Sequence, residues 1–393
     1  MWVDLILALC ALPVLLASFY LAALATLARR LSPPAAPAPR LRFDLLVPAH
    51  DEEADIGDTV SSLFAVHYPL QLFRVIVVAD NCSDRTAERA RMAGAEVMIR
   101  DEPEYRGKGY ALTHAFHHSL ADGFADVMVV IDADTLVSPN LLSAFSARFD
   151  AGASAVQADY GVRNPRASWR TRVMTIGLAA FHGVRSVARE RLGLSCGLRG
   201  NGMGFSRELL RTHPPQAFSI VEDLEYGLQL GYAGVRVQYV QEATVRGHMA
   251  VTGRASRSQR RRWELGRQAL MREHLPRLMT QAWRRRDRCL FDLAMDLMVP
   301  ALGQLVTITA TGLALSLLAR PLGVVAAPFL WAAALVGILV HVLRGWASSG
   351  AGISGLFDLL WAPAYIVWKL TLRFKDKGQT PTEWVRTTRR ARL

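Results

Sequence analysis

Hydrophobic positions along the chain fall into three regimes. Residues 2–28 form an apolar run carrying one acid, Asp4. From residue 42 to about 280, short apolar runs of strand length alternate with amphipathic stretches. From about 289, long apolar runs return, at 297–318, 322–343 and 353–372. About 20 residues rising 1.5 Å each cross a ~30 Å hydrocarbon core, so the first run reads as a membrane anchor. Arg29-Arg30 follow it and nothing basic precedes it, the reverse of a secretory signal peptide. The positive-inside rule then places residue 30 onward in the cytoplasm.

After a Pro/Ala linker, LSPPAAPAPR at 31–40, the middle regime predicts strands at 42–49, 73–80, 126–134 and 153–160. Helical patterns at about 54–66, 84–93 and 107–121 separate the first of these. Strand–helix–strand alternation predicts a mostly parallel sheet covered on both faces. Ligands of such sheets bind at the carboxyl ends of the strands. Here those ends carry acids.

The C-terminal regime sets a parity problem. The tail after 372 holds seven basic residues (Arg373, Lys375, Lys377, Arg386, Arg389, Arg390 and Arg392) against Asp376 and Glu383, and so reads as cytoplasmic. That requires an even number of C-terminal crossings, whereas three apolar stretches are present. The segment 283–296, with Trp283, Arg284–Arg286, Asp292 and Asp296, suits an interfacial helix.

Composition adds a bias. Lys+Arg total 46 against 34 Asp+Glu, a formal charge of +12, and only Lys108, Lys369, Lys375 and Lys377 are lysines. Such an excess fits nucleic acid, anionic lipid or phosphate ligands. The strand-end acids speak against nucleic acid. A dinucleotide oxidoreductase needs G-x-G-x-x-G after the first strand, where this chain reads P-A-H-D-E-E. The four cysteines show no metal-ligand spacing and read as reduced thiols. His114, His117 and His118 read as a polar helix face.

The sharpest chemical signal is Asp132-Ala133-Asp134, directly after the strand VMVVI. Two carboxylates leaving an apolar strand are costly to bury unpaired, and a hard divalent cation with phosphate oxygens satisfies them. The surrounding motifs run in order: VPAHDEE (47–53), VADNCSDRT (78–86), R-G-K-G (106–109), GLRGNGMGF (197–205), V-E-D (221–223) and Q-R-R-R-W (259–263). This series resembles the family 2 glycosyltransferases, inverting nucleotide-sugar-dependent enzymes with a GT-A fold. Members with Q-x-x-R-W include polysaccharide synthases and ceramide glucosyltransferase. The resemblance covers roughly 42–275.

The resemblance implies an α/β, Rossmann-like cytosolic domain flanked by transmembrane helices, and assigns roles residue by residue. Pro48, His50 and Glu52 stand in the nucleotide loop, with His50 and Asp51 departing from the usual aromatic and Asn. Asp80 matches the acid that hydrogen-bonds uracil. Lys108 lies in the loop lining the nucleotide-sugar pocket, at a helix start that favours anions. Asp132 and Asp134 match the metal and diphosphate motif for Mg²⁺ or Mn²⁺, Asp134 being the better direct ligand. Asp223 matches the general base. Glu222 is its neighbour and competitor; adjacent helical residues point about 100° apart, so one of the two is expected to face the site. Asn201 and Gly202 belong to the acceptor-side loop. Gln259, Arg262 and Trp263 lie on a helix under the acceptor channel, with Arg254, Arg257, Arg260, Arg261 and Arg267 as a membrane-facing belt. Trp384 resembles part of a segment that closes over the site. Ser83 and Asp84 read as the cap of the following helix.

The expected organisation is therefore an anchor at 1–30, a linker at 31–41 and a GT-A domain at 42–280. An interfacial helix and C-terminal membrane helices follow at 281–372, then a basic cytosolic tail at 373–393. The expected activity is transfer of one sugar from a UDP-sugar to a lipid-linked or glycan acceptor at the bilayer of a bacterial inner membrane. It belongs to envelope, exopolysaccharide or glycolipid synthesis, with polysaccharide-pathway proteins as partners. The alternative is a processive β-polysaccharide synthase.

Overall fold

The computed structural model describes residues 2–35, 37–249 and 253–361, the side chains of 253–262 excepted. Trp384 and the basic tail lie outside the described residues.

The sheet is built on β1 (Phe43–Ala49), every residue of which is buried. Its run of apolar residues on both faces is what a central parallel strand needs. β2 (Phe73–Asp80) and β4 (Val127–Val130) flank β1 in parallel, and β3 (Glu96–Arg100) pairs in parallel with β2. The remaining strands are β5 (Thr135–Val137), β6 (Ala155–Val162), β7 (Met203–Ser206) and β8 (Val237–Gly247). The eight strands take the order β3-β2-β1-β4-β7-β6-β8-β5, with β7 antiparallel to both of its neighbours. Strand order reverses between β1 and β4, which opens a crevice at their carboxyl ends. Pairing of β1 with β4 stops at Leu46, two residues before Pro48, which has no N–H to offer a neighbour.

Side chains alternate across β1. Phe43, Leu45 and Val47 join one core with α2 (Ile56–Phe64) and α5 (Leu141–Asp150). Leu46 joins a second core with α4 (Lys108–Asp122) and α7 (Arg185–Arg191). α7 continues α6 (Trp169–Leu178) through a π-helical stretch at Ala179–Val184.

Two helices are long and apolar enough to cross a membrane: α1 (Trp2–Leu27) and α13 (Ala327–Ser349). α11 (Arg288–Met298) and α12 (Leu302–Leu318) meet at a bend of 66° and make a third span if taken together. α1 and α13 run parallel. Asp4 accepts hydrogen bonds from the backbone N–H of Ala326 (3.1 Å) and Ala327 (2.9 Å), capping the start of α13. Trp331 donates to the Leu7 carbonyl, and Arg344 reaches the Ala28 carbonyl at the far end. Both helices therefore finish on the side of the α/β domain, and α12 runs back along the pair, touching both. The third apolar stretch opens as the short α14 (Gly352–Leu359), which packs on α6 through the Arg172–Asp358 pair. Up to its last described residue, Trp361, it stays with the α/β domain. After residue 288 the described residues thus hold one helix long enough to cross, α13, and the bent pair α11–α12, while the rest of the third apolar stretch and the tail lie outside the described residues.

α10 (Gly253–Arg285) extends through residue 280, and the segment expected to be interfacial breaks near Arg286 before α11 begins. On α11, Asp292 and Asp296 are not at a surface. Spaced four residues apart, they face Arg185 and Arg189, spaced four apart on α7. Arg189 Nε lies 2.8 Å from Asp292 Oδ2, and its Nη2 lies 2.8 Å from Asp296 Oδ1. Arg185 Nη1 donates to Asp296 Oδ1 at 2.8 Å. Tyr20 of α1 completes the cluster, accepting from Arg189 (2.6 Å) and donating to Asp292 (2.8 Å). Arg267, expected in a surface belt, is instead directed inward and donates to the carbonyls of Asp296 and Val299 at the end of α11.

Removing one member of a buried ion cluster strands its partners. Arg189→Ala is expected to destabilise the protein by about 3–5 kcal/mol. Thermal unfolding of the detergent-purified protein checks this; an unshifted transition would show that the cluster carries no net stability.

Candidate functional site

The carboxyl ends of β1, β2 and β4 bring most of the expected residues to one crevice. Immediately beyond β4, the Asp132 N–H donates to Asn201 Oδ1 (3.1 Å), and Asn201 Nδ2 donates to Thr135 Oγ1 (2.7 Å). Buried Asn201 thus ties the D-x-D turn to the glycine-rich loop. Gln157 of β6, which the sequence reading did not single out, grips the same loop: its Nε2 donates to the Asn201 carbonyl (2.7 Å) and its Oε1 accepts from the Arg199 N–H (2.9 Å). Glycine is required at two points of this loop. Gly202 has φ 70°, and a Cβ there would lie 2.7 Å from a Val245 methyl. Gly200 has φ 79°, and a Cβ there would lie 3.2 Å from Asp223 Oδ2.

Lys108 opens α4, and its ammonium sits at the centre of the acids. Nζ donates to Asp132 Oδ1 and to the Gly200 carbonyl, each at 2.5 Å, and stands 3.8 Å from Glu222 Oε1. Burial alone would lower its pKa, but the carboxylates of Asp132 and Glu222 outweigh it and hold the ammonium firmly charged. Glu222 and Asp223 begin α9 (Glu222–Tyr232). Both turn toward this site, where helical periodicity allowed one. Glu222 reaches toward Lys108, and Asp223 lies beside Gly200; at the first residues of a helix no preceding turn intervenes. Burial raises the Glu222 carboxyl to about 7 against the pull of Lys108, and burial likewise raises Asp223.

Asp134 is buried next to Thr135 Oγ1 (3.4 Å). Asp132 and Glu222 flank one cation, the Lys108 ammonium, with Asp223 beside the same glycine-rich loop, and Asp134 lies two residues beyond Asp132. Carboxylates are the hard oxygen donors that Mg²⁺ or Mn²⁺ takes.

Asp80, at the end of β2, is fully buried. Its Oδ1 pairs with Arg100 Nη1 at 2.5 Å, while its Oδ2 has no hydrogen-bond partner among the described residues. Arg100 also donates to the Tyr105 carbonyl (2.9 Å) and pairs with Glu102 (2.7 Å). The sequence reading missed Arg100 because it missed β3; its signal was a lone arginine closing the apolar run VMI. His50 Nδ1 lies 2.8 Å from the Asp80 carbonyl. Pro48 is buried within β1, two residues before His50. The neighbouring turns are locked together: Asp51, at φ 53°, accepts from the Ser83 N–H (2.7 Å), and the Glu52 N–H donates to Thr86 Oγ1 (2.8 Å). Asp84 accepts from the Thr86 N–H (2.9 Å) at the start of α3 (Thr86–Met92), as a cap does. Asp51, Cys82 and Asp84 also lie close enough to hold an ion. Their carboxylates are already taken by these turn bonds, and burial pushes the Cys82 thiol up to about 11, so the group reads as a loop lock.

Trp263 is 38% exposed on α10, one turn from Gly266, where the helix touches Val221 just before the acid pair. Gln259 and Arg262 lie on the same helix, and their side chains are outside the described residues. His114, His117 and His118 are exposed on α4.

Comparison with known proteins now has a site to attach to. The chain is 24% identical over 261 residues to the probable glycosyltransferase YdaM of Bacillus subtilis (strain 168), covering 64% of this chain and 60% of that protein. It is 28% identical over 231 residues to the beta-monoglucosyldiacylglycerol synthase of Synechocystis sp. (strain ATCC 27184 / PCC 6803 / Kazusa), covering 56% and 47%. The matched region thus spans about half of each of these curated relatives. Among solved structures, the mannosyltransferase PcManGT from Pyrobaculum calidifontis, in complex with GDP-Man and Mn²⁺, aligns with a TM-score of 0.54 at 20% identity. That alignment covers 86% of this chain and 99% of the other, and shows a shared GT-A fold. The profile described as "Glycosyltransferase like family 2" matches residues 39–266, more than half of the chain. The chain belongs to the family 2 glycosyltransferases.

Proposed function

We propose that the protein is an inverting, metal-dependent glycosyltransferase that moves one sugar from a UDP-sugar to a lipid-linked or membrane acceptor. The observation that carries this reading is the joining of the acid site to the membrane helices. The glycine-rich loop beside Asp223 is the continuation of α7, and α7 is pinned to α1 and α11 by Arg185 and Arg189. A site held this way works at the bilayer surface. The naming of one relative for a glucosyldiacylglycerol product agrees with a lipid acceptor. α1 and α13 both end toward the α/β domain, with Arg29-Arg30 just beyond α1, which supports a cytoplasmic active site at the plasma membrane.

Asp223 takes the proton of the acceptor hydroxyl as that oxygen attacks the anomeric carbon. The new C–O bond forms as the bond to the diphosphate oxygen breaks on the opposite face. Asp132 and Asp134 would hold Mg²⁺ or Mn²⁺, which when bound neutralises charge on the departing diphosphate. Asn201 and Gly202 shape the acceptor side, with Glu222 next to the base. Trp263 on α10 extends that side, and the family resemblance assigns Gln259, Arg262 and Trp384 to it as well. His50 and Glu52 border the nucleotide, just beyond the end of β1, within which Pro48 lies.

The base reading rests on Asp80. One of its oxygens is committed to Arg100, leaving a single acceptor beside a guanidinium. Uracil presents one N–H between carbonyl oxygens, whereas guanine presents two adjacent donors. A single free acceptor suits uracil.

The test is to incubate detergent-purified protein with Mn²⁺, bacterial lipid extract and labelled UDP-sugars or GDP-mannose. Label in a low-mass, organic-extractable product from a UDP-sugar is expected. A product that lengthens with time would replace this reading with a processive synthase, and turnover of GDP-mannose alone would overturn the uracil assignment. Asp223→Asn is expected to lower transfer by about 10²–10⁴-fold while retaining UDP binding; wild-type turnover would move the base elsewhere.

A further inference from the structure

One of the carboxylates assigned to the metal, Asp132, is already occupied by a cationic side chain. Lys108 Nζ makes two 2.5 Å contacts, to Asp132 Oδ1 and the Gly200 carbonyl, with Glu222 Oε1 at 3.8 Å. An ammonium is a compact point charge on a flexible stem, able to change partners without backbone movement. Lys108 is also the first residue of a 15-residue helix, whose positive end favours a phosphate group.

We propose that Lys108 couples metal binding to donor binding: without nucleotide its ammonium occupies Asp132 and resists the metal, and the diphosphate of a nucleoside diphosphate draws it away and frees that carboxylate. The inference rests on the proposed role of Asp132 and Asp134 as the metal and diphosphate site.

The physical reason is charge competition. A divalent cation approaching Asp132 meets a positive group already bonded to the same oxygen, in a buried setting where repulsion is poorly screened. When a diphosphate arrives at the start of α4, the lysine gains a more highly charged partner and Asp132 loses its blocker. By linkage, whatever factor nucleotide adds to metal affinity, metal adds to nucleotide affinity. Lys108 then acts as a positioning residue for the metal, through Asp132. It offsets part of the acids' charge before nucleotide arrives and lets metal and donor bind together.

The test is a Mn²⁺ titration followed by electron paramagnetic resonance on the full-length, detergent-purified protein, with and without UDP. In Lys108→Gln, Mn²⁺ without UDP is expected to bind at least about tenfold more tightly than in wild type, and the enhancement by UDP to shrink by a similar factor. Lys108→Arg keeps the charge and is expected to keep wild-type coupling, which also separates this effect from a general loss of fold. Unchanged or weaker Mn²⁺ binding by Lys108→Gln without UDP, together with lost UDP affinity, would reduce Lys108 to a diphosphate ligand and overturn the coupling. Wild-type protein that binds neither Mn²⁺ nor UDP would overturn the functional reading itself, and the coupling with it.

Discussion

The pairing of Arg185 and Arg189 with Asp292 and Asp296 fixes the geometry on which the rest depends. It joins three elements that would otherwise share only apolar contacts: a membrane helix, a helix of the α/β domain, and the helix that leads into the next span. Apolar surfaces can slide by a residue at modest cost. Two guanidiniums matched to two carboxylates at the same helical spacing cannot, because a slip leaves buried charges without partners. α7 leads into the loop holding Asn201 and Gly202, so the register set at the ion cluster is carried to the acid crevice within about ten residues.

The crevice obeys a related constraint. Asp132, Glu222 and Asp223 meet where β4 ends and α9 begins, and the ammonium of Lys108 makes their proximity tolerable. Gln157 and Asn201 are neutral, and their work is geometric. They hold the turn after β4 and the glycine-rich loop at a fixed separation, while Gly202 lets that loop pass against Val245 where a side chain would collide. Charge balance and backbone clearance together position Asp223 beside the loop.

Much of this was legible in the sequence where one signal dominates. Strands β1, β2, β4 and β6 announce themselves by apolar runs, and their terminal acids by position. The strands that were missed are those whose reason for being is tertiary. β3 lies at the sheet edge with partial exposure, so its pattern is diluted, and Arg100 went unnoticed with it. β7 is four residues long and includes a glycine. β8 mixes polar residues through eleven positions because its neighbours cover it unevenly. Helical periodicity separated Glu222 from Asp223 but does not govern the first residues of a helix. Arg267 resembles its basic neighbours in sequence, and its capping of α11 depends on tertiary contacts that no local pattern shows. The number of crossings was illegible for a plainer reason: apolar length says that a segment can span, and nothing about whether it does. The contact between Asp4 and α13 supplies the direction, and no local pattern encodes it.

That contact has a consequence for how the protein is made. Asp4 and the backbone it caps are separated by up to 323 residues. At translation rates of about 5–20 residues per second, the first helix waits roughly 15–60 s for its partner to emerge. Until then a carboxylate near one end of the anchor has no helix start to cap, and the groove that will receive α13 is open to lipid. Completion of the membrane bundle is therefore a late event in biogenesis.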